Sequence, residues 1–156
     1  MAIRKVAVMG NPILRKVASP IPLNQVKSQR VQQLLQDMVD TMIEYDGRGL
    51  AAPQIHESVQ AIVLLWDFDP NEKPSVKYII NPTVKPLTEN KSGFWEGCLS
   101  VPGLRGKVDR PNKISVEGYN EKGDPFKWDL EGFAATVVQH EVDHLLGALY
   151  IDRIGD

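Results

Sequence analysis

The chain has 156 residues, 42% of them hydrophobic and 24% charged, and a formal net charge of −2. That size and balance suit one soluble globular domain spanning residues 1–156, and a near-neutral charge without a long Lys/Arg run argues against direct nucleic-acid binding. A lone cysteine, Cys98, excludes an intrachain disulfide and fits a reducing compartment.

The opening "MAIRKVAVMGNPILRK" is broken by Arg4, Lys5, Gly10 and Pro12, so it offers neither the apolar stretch of a signal peptide nor a membrane span. A cytoplasmic location is expected, or an organelle one if a transit peptide has been trimmed. Residues 26–45 then set Val31, Leu34, Leu35, Met38, Met42 and Ile43 at helical spacing, which predicts an amphipathic N-terminal helix ending near Asp46 and Gly47. "GRGLAAPQ", 47–54, joins two glycines and a proline and predicts a loop with close backbone approach. From 59 to 119, "VQAIVLLW", "KYIINPTVKPL", "EGCLSVPG" and "KISVEGY" alternate with proline and glycine punctuation and predict strands and turns. "NEKGDPF" predicts a hairpin turn into one more strand, "FKWDL". Residues 132–149 carry Phe133 and Val137 on one stripe and Val138, Val142, Leu145 and Leu149 on another, which predicts a largely buried helix. The order is that of an α+β fold, with antiparallel β-sheets packed around the final helix.

That helix contains "QHEVDH". His140 and His144 stand one turn apart with Cβ atoms about 5–6 Å from each other, close enough for two imidazoles to reach one cation at about 2 Å. Glu141, rotated away from both, can serve as general base beside a cation-bound water. The bland alternative is two satisfied helix histidines and a solvated acid, but two unliganded imidazoles in a buried stripe would be costly. A catalytic metal centre needs a third protein ligand and one open position. Only residues 145–156 follow His144, and the position where the longer protease pattern has its third histidine is Tyr150. The third ligand is therefore sought upstream, at His56, Cys98 or a carboxylate. Cys98 in "WEGCLSVPG" is the better choice beside an unfinished two-histidine site, because a thiolate binds Fe²⁺ or Zn²⁺ strongly; otherwise it would read as a small buried hydrophobe.

Taken together, "GRGLAAPQ" at 47–54, "EGCLS" at 96–100 and "QHEVDH" at 139–144 resemble the three signature motifs of peptide deformylases, in that family's order and with similar separations. "NPILR" near the start and Arg105 after "VPGL" extend the likeness over essentially the whole chain. "FWEGCLSVPGLRG" is most similar to the branch holding many bacterial members and the organelle enzymes.

The resemblance implies a metal-dependent hydrolase that removes the formyl group from the N-terminal formyl-methionine of newly synthesised proteins and releases formate. It implies one divalent ion, Fe²⁺ in the cell and Zn²⁺, Ni²⁺ or Co²⁺ in its place, held by Cys98, His140 and His144 with a water in the fourth position. Glu141 would act as base and then acid, and the side-chain amide of Gln54 and the backbone N–H of Leu99 would meet the oxyanion. Gly49 and Gly97 would let a substrate backbone dock in extended form, with Arg105 nearby, and Phe94, Phe133, Thr136 and Val137 fall at the positions of the methionine pocket. The partners implied are N-formyl-methionyl nascent peptides and a transient ribosome contact, with no membrane.

Some further expectations rest on single residues. Glu96 and Arg105 would pair to brace the cysteine segment, and Asp143 would orient an imidazole or cap a polar face. Arg48 stands where the family commonly has a β-branched apolar residue, which puts a cation at the cleft mouth. The chain ends at Asp156, short of the further C-terminal helix that many bacterial members use toward the ribosome. Two rival functions are a metalloprotease cutting internal peptide bonds and a non-catalytic, metal-stabilised module in which His56 closes a four-ligand site.

Overall fold

The computed structural model describes residues 2–155. Two α-helices and seven strands are arranged in the predicted α+β order: α1 (Gln29–Glu44), β1 (Gly49–Ala51), β2 (Ala61–Trp66), β3 (Ser75–Pro86), β4 (Lys91–Cys98), β5 (Val101–Pro111), β6 (Lys113–Tyr119), β7 (Pro125–Glu131) and α2 (Gly132–Leu145). Five strands form an antiparallel sheet in the order β1-β2-β3-β6-β7, and β4 and β5 form a separate hairpin.

The alternation of side chains along β2 explains the layering. Ala61 and Val63 pack with Leu35, Met38 and Met42 of α1, whereas Ile62 and Leu64 pack with Ala135, Val138 and Leu145 of α2. Both faces of the strand are covered, so "AIVLLW" is apolar without a break rather than alternating. Helix α2 packs against all seven strands, which makes it the central element the sequence predicts. Among the described residues no helix is long and apolar enough to cross a membrane.

Four local features differ from the sequence expectation. Helix α1 starts only after Ser28, whose hydroxyl accepts from the Val31 N–H, and Ile43 points outward at 63% exposure instead of joining the buried stripe. "GRGLAAPQ" is not simply a loop: Gly49–Ala51 pairs with β2 as an edge strand and Ala52–Ile55 forms a 3-10 turn. Prolines 82 and 102 do not end strands, because β3 absorbs the first beside a bulge and β5 carries the second where residues 102–105 stand out of the ladder. Helix α2 stops at Leu145, since Gly147 turns the chain in a left-handed conformation with its Cα pressed on the Arg15 backbone. Leu149 therefore belongs to a third cluster with Val101, Val108 and Tyr150.

At the β3 bulge Asn81 adopts φ +52°, and its side chain forms two 2.8 Å hydrogen bonds with the backbone of Ile21, accepting at Oδ1 and donating at Nδ2. One residue thus bends the strand and ties down the segment that leads into α1. Asn81→Ala is expected to destabilise the fold by about 2–4 kcal/mol, through two lost hydrogen bonds and a strained backbone, and Asn81→Gly by about 1–2 kcal/mol because glycine keeps the conformation. Urea unfolding followed by tryptophan fluorescence checks both values.

Candidate metal centre

Three elements converge on one point. Cys98 ends β4 at the hairpin turn, while His140 and His144 stand on the inner face of α2; one ligand atom from each lies within 4.8 Å of the other two. Cys98 Sγ is 3.4 Å from His144 Nε2. A tetrahedral cation bound at about 2.3 Å by sulfur and about 2.0–2.1 Å by nitrogen needs an S···N separation of about 3.5 Å, so this pair is already at ligand spacing. One sulfur and two imidazoles suit Fe²⁺ and Zn²⁺ alike and are poor ligands for Mg²⁺ or Ca²⁺.

The surroundings are built for positive charge. Glu96 Oε1 lies 2.7 Å from His140 Nδ1; a carboxylate can only accept there, so Nδ1 carries the proton and Nε2 is left for the cluster. Arg110 grips the same carboxylate through Nε at 2.7 Å and Nη2 at 3.0 Å, and donates from Nη1 to Asp143 at 2.9 Å. Burial opposes ionisation of Glu96, but the bonds and charges of His140 and Arg110 outweigh it and hold the carboxyl below its usual range. At His140 burial favours the neutral ring, yet the Cys98 and Glu96 hydrogen bonds and the Glu141 charge push its pKa up to about 10. Burial, with the charges of His140 and Arg110, keeps His144 neutral, the form in which an imidazole binds metal. A cation replacing the His140 proton would satisfy the same negative environment.

A cleft of about 760 Å³ opens onto the cluster, lined among others by Gly49, Gln54, Gly97, Leu99, Phe133 and Glu141. Thr136, Val137 and Arg105 line it as well. Glu141 is 5% exposed, and its Oε2 has no hydrogen-bond partner among the described residues. Burial raises its pKa to about 7; Glu96 adds to the rise, whereas His140 and Arg110 oppose it. Gly49 is where the predicted close approach occurs, because a Cβ there would lie 2.8 Å from Glu141 Oε1. Gln54 is oriented by two bonds: Oε1 accepts from the Ala51 N–H at 2.9 Å, and Nε2 donates to Ser100 Oγ at 3.1 Å while lying 3.6 Å from Cys98 Sγ. Its donor end therefore faces the cluster.

Several sequence expectations need correction. Arg105 does not pair with Glu96: Glu96 stands opposite Gly106, and Arg105, in the segment that stands out of the ladder, donates to the Trp95 carbonyl. Arg110 is the partner instead. A cation in phase with buried Gly106 and Val108 was the signal for it. Asp143 neither touches an imidazole nor caps an exposed face; it is buried and accepts from Arg110 and Arg153. Phe94 packs against Phe133, ring centroids 5.5 Å apart, and is not among the residues that line the cleft. His56 is exposed, terminates the 3-10 turn after β1 and is no part of the donor cluster. Two residues not singled out as part of the site are Ser100, which holds Gln54, and Trp95, which stands 62% exposed at the cleft. Tyr150, read only as a missing ligand, stacks on His140 at 5.9 Å and 22°.

Known proteins are similar to this chain over nearly its whole length. The family model described as polypeptide deformylase matches residues 3–156. A peptide deformylase of Leptospira biflexa is 44% identical over 160 residues, covering 99% of this chain and 89% of the relative. A crystal structure of the class I type b peptide deformylase from Acinetobacter baumannii superposes with a TM-score of 0.92 at 35% identity, covering 99% of this chain and 100% of that one. The Met-Ala-Ser-bound crystal structure of the class I type b enzyme from Acinetobacter baumannii gives 0.91 at 34% identity, with coverage of 98% and 99%.

Because Glu96 orients His140 and neutralises Arg110, Glu96→Ala is expected to weaken metal retention about 10–100-fold and to cost about 3 kcal/mol of stability. Metal content after dialysis against a graded chelator, together with a urea titration, checks both effects.

Proposed function

Because the chain belongs to the polypeptide deformylase family, we propose that it removes the formyl group from the N-terminal formyl-methionine of newly synthesised proteins at the Cys98, His140 and His144 cluster, releasing formate. The observation that carries this reading is Glu141: a buried carboxyl of raised pKa, with one oxygen unpartnered among the described residues, next to three metal-ligating side chains. A divalent cation held there, Fe²⁺ in the cell or Zn²⁺, Ni²⁺ or Co²⁺ in its place, supplies Lewis acidity that makes water acidic near neutral pH. Glu141 takes the proton from the attacking water and later returns it to the departing amine nitrogen. Gln54 Nε2 and the Leu99 N–H donate to the formyl oxygen as it gains charge, an interaction whose loss typically costs 10²–10³ in rate. Prior orientation of Gln54 by Ala51 and Ser100 supports that role.

The substrate backbone pairs with β1. This strand is first in its sheet; Gln54 occupies the Ala51 N–H, which leaves Gly49 and the residues before it to meet an extended chain lying between Gly49 and Gly97. Phe133, Thr136 and Val137 form the wall against which the methionine side chain lies. The peptide bound to the Acinetobacter baumannii relative, Met-Ala-Ser, begins with methionine as the product of this reaction would. The chain acts in the cytoplasm or an organelle on nascent peptides met during transient association with the ribosome.

Anaerobically prepared protein is expected to release one formate per formyl-Met-Ala-Ser and to leave unformylated internal peptides uncut. Formate detection and mass spectrometry separate this outcome from that of a protease or an inert metal-binding module. Glu141→Gln should keep its metal and lose about 10²–10⁴ in kcat; normal turnover would overturn the role given to Glu141. Gly49→Ala should lower kcat at least about tenfold with metal retained, because its Cβ displaces the carboxylate.

A further inference from the structure

Arg48 departs from the apolar residue of the resembling family, and its surroundings are specific. Its guanidinium lies over the ring of Phe133, 5.7 Å from the centroid, and Nη1 donates to Asp67 at 2.6 Å. Nε and Nη2 have no protein acceptor among the described residues. Both Arg48 and Phe133 line the cleft. The same cleft carries two further cations, Lys5 and Arg105, neither of which forms an ion pair among the described residues. Arg48 is offset by Asp67 and one acid, Asp46, lines the same mouth, so Lys5 and Arg105 leave it with a small net positive charge against a chain whose net charge is −2.

The direction of a docked chain follows from the ends of β1. Gly49 abuts Glu141, so the formyl end lies beside it. Beyond Ala51 the way is closed by the buried 3-10 turn Ala52–Ile55, whereas Tyr45, Asp46, Gly47 and Arg48 line the open cleft. The peptide therefore leaves toward Gly47, antiparallel to β1. In an extended chain the first and third side chains share a face. If methionine lies on the α2 wall, the third residue points to that wall again, where Phe133 and Arg48 stand.

We propose that Arg48, held over Phe133 by Asp67, is a specificity-determining residue that favours formyl-methionyl chains with an acidic third residue. The inference rests on the deformylase reading above. A guanidinium shared between two carboxylates is an arrangement this fold already uses, since Arg110 holds Glu96 and Asp143 together. At the cleft mouth Asp67 would be one carboxylate and the substrate side chain the other.

The test uses the amidated peptides formyl-Met-Ala-Glu-Ser, formyl-Met-Ala-Gln-Ser and formyl-Met-Ala-Lys-Ser, with each kcat/KM divided by that for formyl-Met-Ala amide on the same protein. The wild type is expected to prefer Glu over Lys about tenfold, with Gln between them, and to lose most of that preference in high salt. In Arg48→Leu and Arg48→Gln the Glu/Lys ratio should fall to within twofold of one. A merely structural role would lower all peptides together and leave the ratio in place. A wild-type ratio within twofold of one, or a ratio unchanged in both variants, overturns the proposal. Absence of formate from every formyl peptide would instead remove the deformylase reading on which it stands.

Discussion

A buried guanidinium, that of Arg110, ties the hairpin that carries Cys98 to the helix that carries both histidines, beside the direct bonds from His140 to Glu96 and from Gln139 to the Pro111 carbonyl. The β4–β5 hairpin shares no strand pairing with the five-stranded sheet, so no backbone ladder sets the distance between Cys98 and α2. Arg110 does so with side-chain bonds, to Glu96 on β4 and to Asp143 on α2, and Glu96 passes the constraint to His140. Burying a lone charge would be prohibitive. Here a cation between two carboxylates, with Arg153 on the outer side of Asp143, offsets the desolvation cost through short, directed bonds. The arrangement contributes geometry more than stability. It keeps a sulfur and two nitrogens, drawn from elements far apart in the chain, within 4.8 Å of one another.

The fold was legible where one-dimensional periodicity carries the information. The α1 stripe, the strand-rich middle and the buried final helix could all be read from apolar spacing, because burial imposes 3.6- and 2-residue repeats directly. The donor trio was legible for a related reason: a helix fixes the relation of His140 to His144, and Cys98 was the one sulfur ligand of that kind in the chain. What was not legible depends on register. Glu96 stands opposite Gly106, so Arg110, in phase with Gly106 and opposite Ser92, shares its face, whereas Arg105 falls in the segment outside the ladder; only the register shows this. The end of α2 at Leu145, rather than at Leu149, is set by Gly147 lying against the Arg15 backbone, a contact across most of the chain. Phe94 meets the ring of Phe133, a contact between strand and helix that spacing along the chain does not show.

The centre also illustrates how one environment assigns different states to neighbouring groups. Glu96 and Glu141 are both buried, yet Arg110 and His140 hold the first ionised while the second, lacking such bonds, is pushed toward neutrality. One carboxylate orients a ring and the other remains available to exchange a proton. The distinction comes from hydrogen-bond partners rather than from depth in the protein.

Strand β1 is three residues long and stands at the border of its sheet with the cleft beside it. An unpaired edge ordinarily invites indiscriminate pairing, but with Leu50 and Ala51 buried and the Ala51 N–H bonded to Gln54 so short a border can hold only the tip of another chain. Such a border reads peptide groups, which every protein shares, and leaves discrimination to the depth of the first pocket and to whatever lines the rim. On the docking proposed above, each N-terminus would supply the same missing strand, and one enzyme could process an entire proteome of them.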